Sequence, residues 1–302
     1  YIIPSPFDPR LISKVPPAVA KAAMETGVAR KAIVDMDQYA SDLSARLNPS
    51  EGLLQKIFQE VKENPKRVIF TEGEEEDMIR SATIFLNNGM GTPILIGREE
   101  IIKQKMSDIG LDFFDQMEIH STRNKSEHDR YAEHIYGRLQ RKGFLKKDCL
   151  ELLSNERNVF AACMVSLNDA DAMICGLTRS YAASLESIEY VLDPIPNKTI
   201  LGMTVMLCNG RTIFVADSNV HDMPNAKQLA NITQESAEVV RDVFGIEPRA
   251  ALVSYSNFGK PFTERSVYMK DAIKILDERN VDFEYDGEMG ANIALNENLM
   301  KL

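Results

Sequence analysis

The feature that most constrains the fold is an alternation of short apolar segments with helical segments, beginning near Arg67. Apolar runs typical of strands occur at 67–71, 92–97, 117–120, 172–175, 199–207, 212–216, 250–254 and 283–286. The periodicity between them predicts helices at 75–87, 99–107, 127–141, 148–167, 181–192, 226–244 and 264–279. Strands that alternate with helices of about 10–15 residues indicate an α/β fold with a mostly parallel sheet.

The second half of the chain departs from a purely parallel arrangement. Asn209-Gly210 stands between two apolar runs, which is a hairpin signal, so we expect one antiparallel pair there. Asp193-Pro-Ile-Pro196 interrupts the chain and is the best candidate for a domain boundary. The sequence therefore predicts two α/β domains with a cleft between them, at residues 49–193 and 194–302, preceded by a separate segment at 1–48.

The segment before the alternation has a helical character of its own. Val15–Ala29 is a helix-like run with Pro at its start and Gly near its end, and Met36–Leu47 is predicted to be a short helix. Glu51–Glu63 carries one apolar stripe at helical spacing. The opening residues lack an initiator Met, a signal peptide pattern and transit-peptide character, so we expect the chain to begin within a longer protein.

Composition excludes several classes of function. A net charge of −10 argues against a general nucleic-acid or anionic-membrane surface, although a small pocket can still be locally positive. No apolar run approaches the roughly 18–20 residues that span a bilayer, and a cytoplasmic location is expected. The four cysteines form no C-x-x-C pair and are interpreted as small buried side chains in a reducing compartment. His120, His128 and His134 do not share a helical face as a zinc site would require, so we expect them at the surface or in local hydrogen bonds.

The densest acidic run, Glu72-Gly-Glu-Glu-Glu-Asp77, follows a strand and opens a helix. Carboxylates there complement the positive end of the helix dipole, and this interpretation is favoured over a metal cluster.

Ligands in parallel α/β folds bind beyond the carboxyl ends of the strands, which directs attention to two loops. Ser254-Tyr-Ser-Asn-Phe-Gly259 offers hydroxyls, an amide and a glycine turn that could hold an anion. A loop that only caps its own helix is the alternative. Gly176-Leu-Thr-Arg-Ser180 adds an arginine suited to phosphate, unless Arg179 only pairs with a surface carboxylate. The residues alone predict an α/β protein with a candidate site for an anionic ligand, and they identify no reaction.

From about Val68 to the end, the chain resembles the phosphate acetyltransferase family. The residues that carry this resemblance are Glu72-Gly73, Ala170–Met173 with Gly176, Phe214–Asp217 with Asn219, Glu247–Arg249, Ser254–Ser256 and Asp286-Gly287. The resemblance implies a cleft between two α/β domains, related to isocitrate and isopropylmalate dehydrogenases in architecture. It also implies the conversion of acetyl-CoA and phosphate to acetyl phosphate and CoA.

The chain departs from that family at two loops. Active members have threonine or lysine, then glycine and serine, after Ser-Tyr-Ser, whereas this chain has Asn257-Phe-Gly-Lys-Pro261. They follow Asp-Gly with Pro-Leu-Gln, whereas this chain has Glu288-Met-Gly-Ala-Asn292. The family's closing segments, with the residues assigned to CoA binding and base catalysis, lie beyond Leu302. We therefore assign no catalytic residue and expect this chain alone not to be an efficient transferase.

The first thirty residues resemble the end of the catalytic part of a bacterial hybrid NADP-dependent malic enzyme, a type that carries a phosphotransacetylase-like domain after that part. The resemblance implies a regulatory module that senses acetyl-CoA and holds subunits together as a homo-oligomer, beside its own malic enzyme catalytic domain. NADP and Mg²⁺ or Mn²⁺ would belong to that catalytic domain, and no cofactor or metal is expected in this chain. The candidate contacts for the CoA ester are Thr178, Arg179, Ser180, Ser254, Ser256 and Asn257. An active phosphate acetyltransferase and a purely structural oligomerisation domain remain as alternatives.

Overall fold

A computed structural model of the chain describes residues 10–47, 57–111, 116–123, 128–208, 211–258 and 264–300. Within these ranges the helices are α1 Arg10–Glu25, α2 Met36–Leu47, α3 over 57–63, α4 Glu76–Asn87, α5 Glu99–Asp108, α6 His128–Leu139, α7 Lys146–Asn155, α8 Arg157–Ser166, α9 Tyr181–Glu189, α10 Ala226–Phe244, α11 Glu264–Arg279, α12 Ala291–Ala294 and α13 Glu297–Met300. The strands are β1 Lys66–Phe70, β2 Gly91–Ile96, β3 Glu118–His120, β4 Ala172–Ile174, β5 Met203–Cys208, β6 Arg211–Ala216, β7 Arg249–Val253 and β8 Glu284–Met289.

The chain divides into two compact units, one of residues Ile57–Asp193 and one of Tyr1–Lys56 with Pro194–Leu302. The assignment of residues 1–48, 49–193 and 194–302 to three functional parts stays a prediction. None of the described helices is both long and apolar enough to cross a membrane.

The unit Ile57–Asp193 contains a parallel sheet in the order β3-β2-β1-β4. Successive side chains of a strand point to opposite faces, and each face here is covered by helices. Ile69, Ile94 and Ile96 pack on one side with residues of α6, α7 and α8. Val68, Phe70 and Leu95 pack on the other side with residues of α4 and α5. This confirms the α/β class predicted from the alternating pattern.

The other unit is mixed, as the hairpin signal predicted. β5 and β6 pair antiparallel from Met203↔Ala216 to Cys208↔Arg211, although the turn at 209–210 lies outside the described residues. β7 and β8 pair in parallel. α10 and α11 cover this second pair through a small cluster of Ala230, Leu252, Ala272 and Leu276.

The first helix begins earlier than predicted. Pro16 and Pro17 were expected at its start, but α1 begins at Arg10 and encloses both prolines. Leu11 and Ile12 are half-buried, so the apolar face of the helix extends upstream of the prolines. Of the helix predicted at Glu51–Glu63, residues 57–63 are helical and the remainder lies outside the described residues.

The single helix predicted over 148–167 is two helices. The chain leaves helical geometry at Glu156, which has φ −113° and ψ 97°, between α7 and α8. α7 buries only Cys149 and Leu153, whereas α8 buries seven consecutive residues from Asn158 to Met164. The break at Glu156 therefore separates a helix that is mostly at the surface from one that is mostly buried.

Three burial predictions were wrong. Strand β4 was expected to be buried but lies at the edge of the sheet, with Ile174 46% exposed. Of the cysteines, Cys149 and Cys163 are buried as predicted, Cys175 is half-buried and Cys208 is exposed. His128 was expected at the surface or in a local hydrogen bond, but its ring is buried on α6 against Phe160, and its Nε2 is buried with no hydrogen-bond partner among the described residues.

Candidate functional site

The carboxyl end of β1 carries a buried glutamate that organises the loop after β4. Glu72 Oε1 accepts hydrogen bonds from the backbone N–H groups of Gly176, Leu177 and Thr178 at 3.3, 3.1 and 3.1 Å. The Thr178 hydroxyl donates to the same oxygen at 3.3 Å. Consecutive N–H groups that converge on one point form an anion-binding concavity. Here the anion is the protein's own carboxylate.

The backbone around Glu72 is packed too closely for a larger residue next to it. A Cβ atom added to Gly73 would lie 2.9 Å from the Ile96 carbonyl oxygen and 3.0 Å from Leu95 Cβ. Because glycine has no side chain, the backbone at Gly73 can cross close to the end of β2. This close crossing fixes the positions of the two neighbouring residues, Glu72 and Glu74.

The carboxylates of the acidic run after β1 have different structural roles. Glu76 and Asp77 lie in the first turn of α4, as the dipole argument predicted. Glu74 instead forms a bidentate pair with Arg98, at 3.0 Å to Nε and 2.8 Å to Nη2. The side-chain hydrogen bond from Arg98 is the largest effect and lowers the pKa of Glu74 from 4.5 to about 2.

The three candidate residues of the β4 loop have structural partners. Thr178 is bonded to Glu72, and the Ser180 hydroxyl oxygen accepts from the Ala183 N–H at 3.4 Å as the N-cap of α9. The Arg179 guanidinium donates through Nη1 to Glu156 Oε2, so the surface carboxylate pair left open by the sequence is present. Its side chain keeps 41% exposure.

The other three candidate residues lie in the loop after β7, and two of them contact a buried glutamate of β8. The Ser254 hydroxyl donates to Glu288 Oε1 at 2.6 Å, and the Ser256 hydroxyl donates to the same oxygen. Asn257 Oδ1 accepts from the Gly290 N–H at 2.7 Å. The loop is thus held to the end of β8 by its own polar side chains.

A cavity of about 400 Å³ adjoins this loop. Its lining comprises Asn257, Phe258, Asp286, Met289, Asn292, Ile293, Leu299 and Met300. Apolar side chains with a few polar groups are typical of a small-molecule site.

A third polar cluster lies after β6. Asp217 accepts hydrogen bonds from the N–H groups of Gly202, Val220 and His221, and from His221 Nδ1 at 2.5 Å. Burial acts to raise the pKa of Asp217, but these hydrogen bonds outweigh it and lower the pKa. These hydrogen bonds hold the turn after β6. Asp217 in that turn is one of the residues that carry the resemblance to the transferase family.

Sequence reasoning missed the roles of Glu72 and Glu288. Each is 4% exposed or less. Glu72 follows β1 and Glu288 lies in β8, and each contacts a loop that the sequence indicated as an anion site. A signal was present for Glu72, because a polar residue just after a strand sits where parallel sheets place their polar groups. The structure brings Thr178, Arg179 and Ser180 together in one unit and Ser254, Ser256 and Asn257 in the other. Their contact with a ligand stays a prediction.

The parallel sheet, the mixed second unit and the polar loops at strand ends define a two-unit α/β protein. The model of the phosphate acetyl/butaryl transferase family matches residues 52–302, and the chain belongs to that family.

Two curated relatives place the match in a longer protein. The chain is 49% identical over its whole length to an NADP-dependent malic enzyme of Rhizobium meliloti, covering 40% of that protein. It is 41% identical over its whole length to a probable NADP-dependent malic enzyme of Rickettsia prowazekii, covering 41%. The chain thus spans about 40% of the length of these relatives.

A solved structure supports the fold. A phosphotransacetylase from Streptococcus pyogenes superposes with a TM-score of 0.72 at 22% identity, over 82% of this chain and 77% of that chain.

Proposed function

We propose that this chain is a regulatory module of an NADP-dependent malic enzyme, which binds acetyl-CoA and contributes to a homo-oligomer. The observation that carries the proposal is that one sequence matches the transferase family over 52–302 and malic enzymes over its whole length. A transferase-like domain joined to a dehydrogenase is suited to sense the concentration of a CoA ester. The parent reaction would be the oxidative decarboxylation of malate to pyruvate. NADP and a divalent metal would act there, and no residue of this chain is assigned to them.

The contacts in this proposal are Thr178, Arg179 and Ser180 in one loop and Ser254, Ser256 and Asn257 in the other. Arg179 is the strongest of these, since a guanidinium forms bidentate bonds to phosphate groups such as those of CoA. Its pair with Glu156 holds the half-exposed side chain at the carboxyl end of the sheet. Regulation requires that acetyl-CoA bind two conformations of the protein with different affinity.

The oligomer part of the proposal is supported by the β5–β6 hairpin. Val205, Met206 and Leu207 are consecutive on β5 and are 38%, 48% and 40% exposed. Val205 and Leu207 lie on one face of β5 and Met206 lies on the other, because successive side chains of a strand alternate. Apolar side chains that stay exposed in this way are typical of an interaction site.

The test is malate-dependent NADPH formation by the complete polypeptide across a titration of acetyl-CoA. We expect acetyl-CoA to change the rate, and Arg179→Ala to reduce the response by about tenfold in acetyl-CoA concentration. Arg80→Ala is the matched control, because Arg80 also loses an exposed ion pair, with Glu76, in the same unit. An unchanged rate at every acetyl-CoA concentration would refute the regulatory role.

An active phosphate acetyltransferase is the second candidate, favoured by the family match itself. Formation of acetyl phosphate from acetyl-CoA and phosphate by the same complete polypeptide would support it. A purely structural oligomerisation domain would show neither acetyl phosphate formation nor a response to acetyl-CoA.

A further inference from the structure

The first turn of helix α8 carries hydrogen-bond donors that no described residue satisfies. Nη1 of Arg157 and Nδ2 of Asn158 are both buried, and neither has a hydrogen-bond partner in the part of the chain that the structure describes. Asn158 is 4% exposed, whereas Arg157 is half-buried as a residue and keeps one side open to solvent. A buried donor without an acceptor costs free energy, so two of them in consecutive residues indicate a missing partner.

The backbone of the same turn adds further donors. The first N–H groups of an α-helix have no acceptor within the helix. No described side chain caps α8, and its first turn contains no acidic residue. The side chain of the N-cap residue, Glu156, instead accepts a hydrogen bond from the Arg179 guanidinium. Side chains of a helix tilt toward its N-terminus, so those of Arg157 and Asn158 extend toward the uncapped N–H groups.

The turn lies at the carboxyl end of the parallel sheet of its unit. Its N-cap, Glu156, pairs with Arg179 in the loop that follows β4. Ser154, two residues earlier, accepts the hydroxyl of Thr122 through its carbonyl oxygen at 3.1 Å, and Thr122 follows β3. Ligands of parallel α/β folds bind at this end of the sheet, so the donors stand where a ligand is expected.

The charge balance at this position favours an anion. Both carboxylate oxygens of Glu74 accept hydrogen bonds from Arg98, and Glu156 is paired with Arg179. The Arg98 hydrogen bond is the main cause of the lowered pKa of Glu74, and the nearby charge of Arg157 lowers that pKa further. Within the described ranges Arg157 has no ion pair, so its charge adds to the positive end of the α8 dipole.

We propose that the first turn of α8 is a binding site for a phosphate group. The backbone N–H groups of the turn and the Asn158 amide donate to its oxygens, and the Arg157 guanidinium balances its charge. Inorganic phosphate and the phosphate groups of CoA present the same chemistry, and the experiment separates these two sources. The site goes beyond the proposed function, since its donors need no thioester and include none of the six candidate contacts.

The test is a calorimetric titration of inorganic phosphate into the complete polypeptide and two variants at constant ionic strength. Arg157→Gln removes the charge, and Asn158→Asp replaces the amide donor with a carboxylate of the same shape. We expect saturable binding by the native protein and at least about tenfold weaker binding by each variant. The matched controls Arg80→Gln and Asn87→Asp make the same charge changes at exposed positions of α4 and should leave phosphate affinity unchanged.

Two results would overturn the site. The first is an absence of saturable phosphate binding by the native protein, which does not depend on how any variant folds. The second is equal phosphate affinity of the native, Arg157→Gln and Asn158→Asp proteins, with thermal unfolding confirming that all three are folded.

A parallel titration with CoA identifies the source of the phosphate group. CoA binding that weakens about tenfold in Arg157→Gln assigns the site to a phosphate of CoA, and Arg157-dependent binding of phosphate alone assigns it to inorganic phosphate. If phosphate binding depends on Arg157 while acetyl-CoA leaves NADPH formation unchanged, the regulatory function is wrong and the site stands. A response to acetyl-CoA without any Arg157-dependent binding of phosphate or CoA supports the regulatory function and overturns the site.

Discussion

Two buried glutamates determine the chemistry of the loops at the residue scale. Glu72 ties down the loop after β4, and Glu288 ties down the loop after β7. In both loops the sequence indicated groups suited to an anion, and in both an internal carboxylate meets those groups. Local composition identified the loops, but the identity of the partner depends on contacts across more than thirty residues of chain, which no local pattern contains.

Glu72→Ala should destabilise the protein by about 2–4 kcal/mol, because three loop N–H groups and the Thr178 hydroxyl lose a charged acceptor. Urea unfolding of native and variant proteins measures this. Glu76→Ala is the control, and its exposed pair with Arg80 should be worth under about 0.5 kcal/mol. Equal losses in the two variants would contradict the tether assigned to Glu72.

Glu74 should give the protein a specific sensitivity to acid. Arg98 depresses the pKa of Glu74 in the folded protein from 4.5 to about 2, so its stabilising effect is complete above the unfolded value and is lost as pH falls between these values. Between pH 6 and pH 3 the loss should be about 2 kcal/mol. Glu74→Gln should lose correspondingly less stability over that interval in urea unfolding. The same pH dependence in native and Glu74→Gln proteins would exclude this carboxylate as the cause.

At the scale of the element, prediction succeeds where the ends of a segment are determined locally. α10 was predicted at Ala226–Phe244 with both bounds correct, because Asn225 and Gln228 form a capping box and Gly245 ends the helix at φ +64°. The break at Glu156 and the exposure of β4 were missed, since they follow from how α8 and the sheet edge are packed. Hydrophobic periodicity indicates which face of a helix is buried. It does not indicate how the chain turns between two successive helices.

Asn225→Ala should cost about 1 kcal/mol of stability, because the N-cap oxygen no longer receives the Gln228 N–H bond of 3.0 Å. The measurement is the shift of the urea unfolding midpoint at a constant slope. Lys227→Ala, an exposed position in the first turn of the same helix, should leave the midpoint unchanged. A midpoint for Asn225→Ala that coincides with that of Lys227→Ala would show that this cap does not stabilise the helix.

At the scale of the whole molecule, family resemblance supplied what residue chemistry could not. The motifs from Glu72-Gly73 to Asp286-Gly287 identified the transferase family, which the match over 52–302 confirms. The chain departs from that family at two loops, and one of the departing residues, Glu288, accepts the hydroxyls of Ser254 and Ser256.

The central claim is that this module binds acetyl-CoA, and calorimetric titration of acetyl-CoA into the complete polypeptide tests it most directly. We predict saturable binding at one site per chain, weakened about tenfold by Arg179→Ala and unaffected by Arg80→Ala. An absence of saturable binding to the native protein, or equal affinities for all three proteins, would contradict the account.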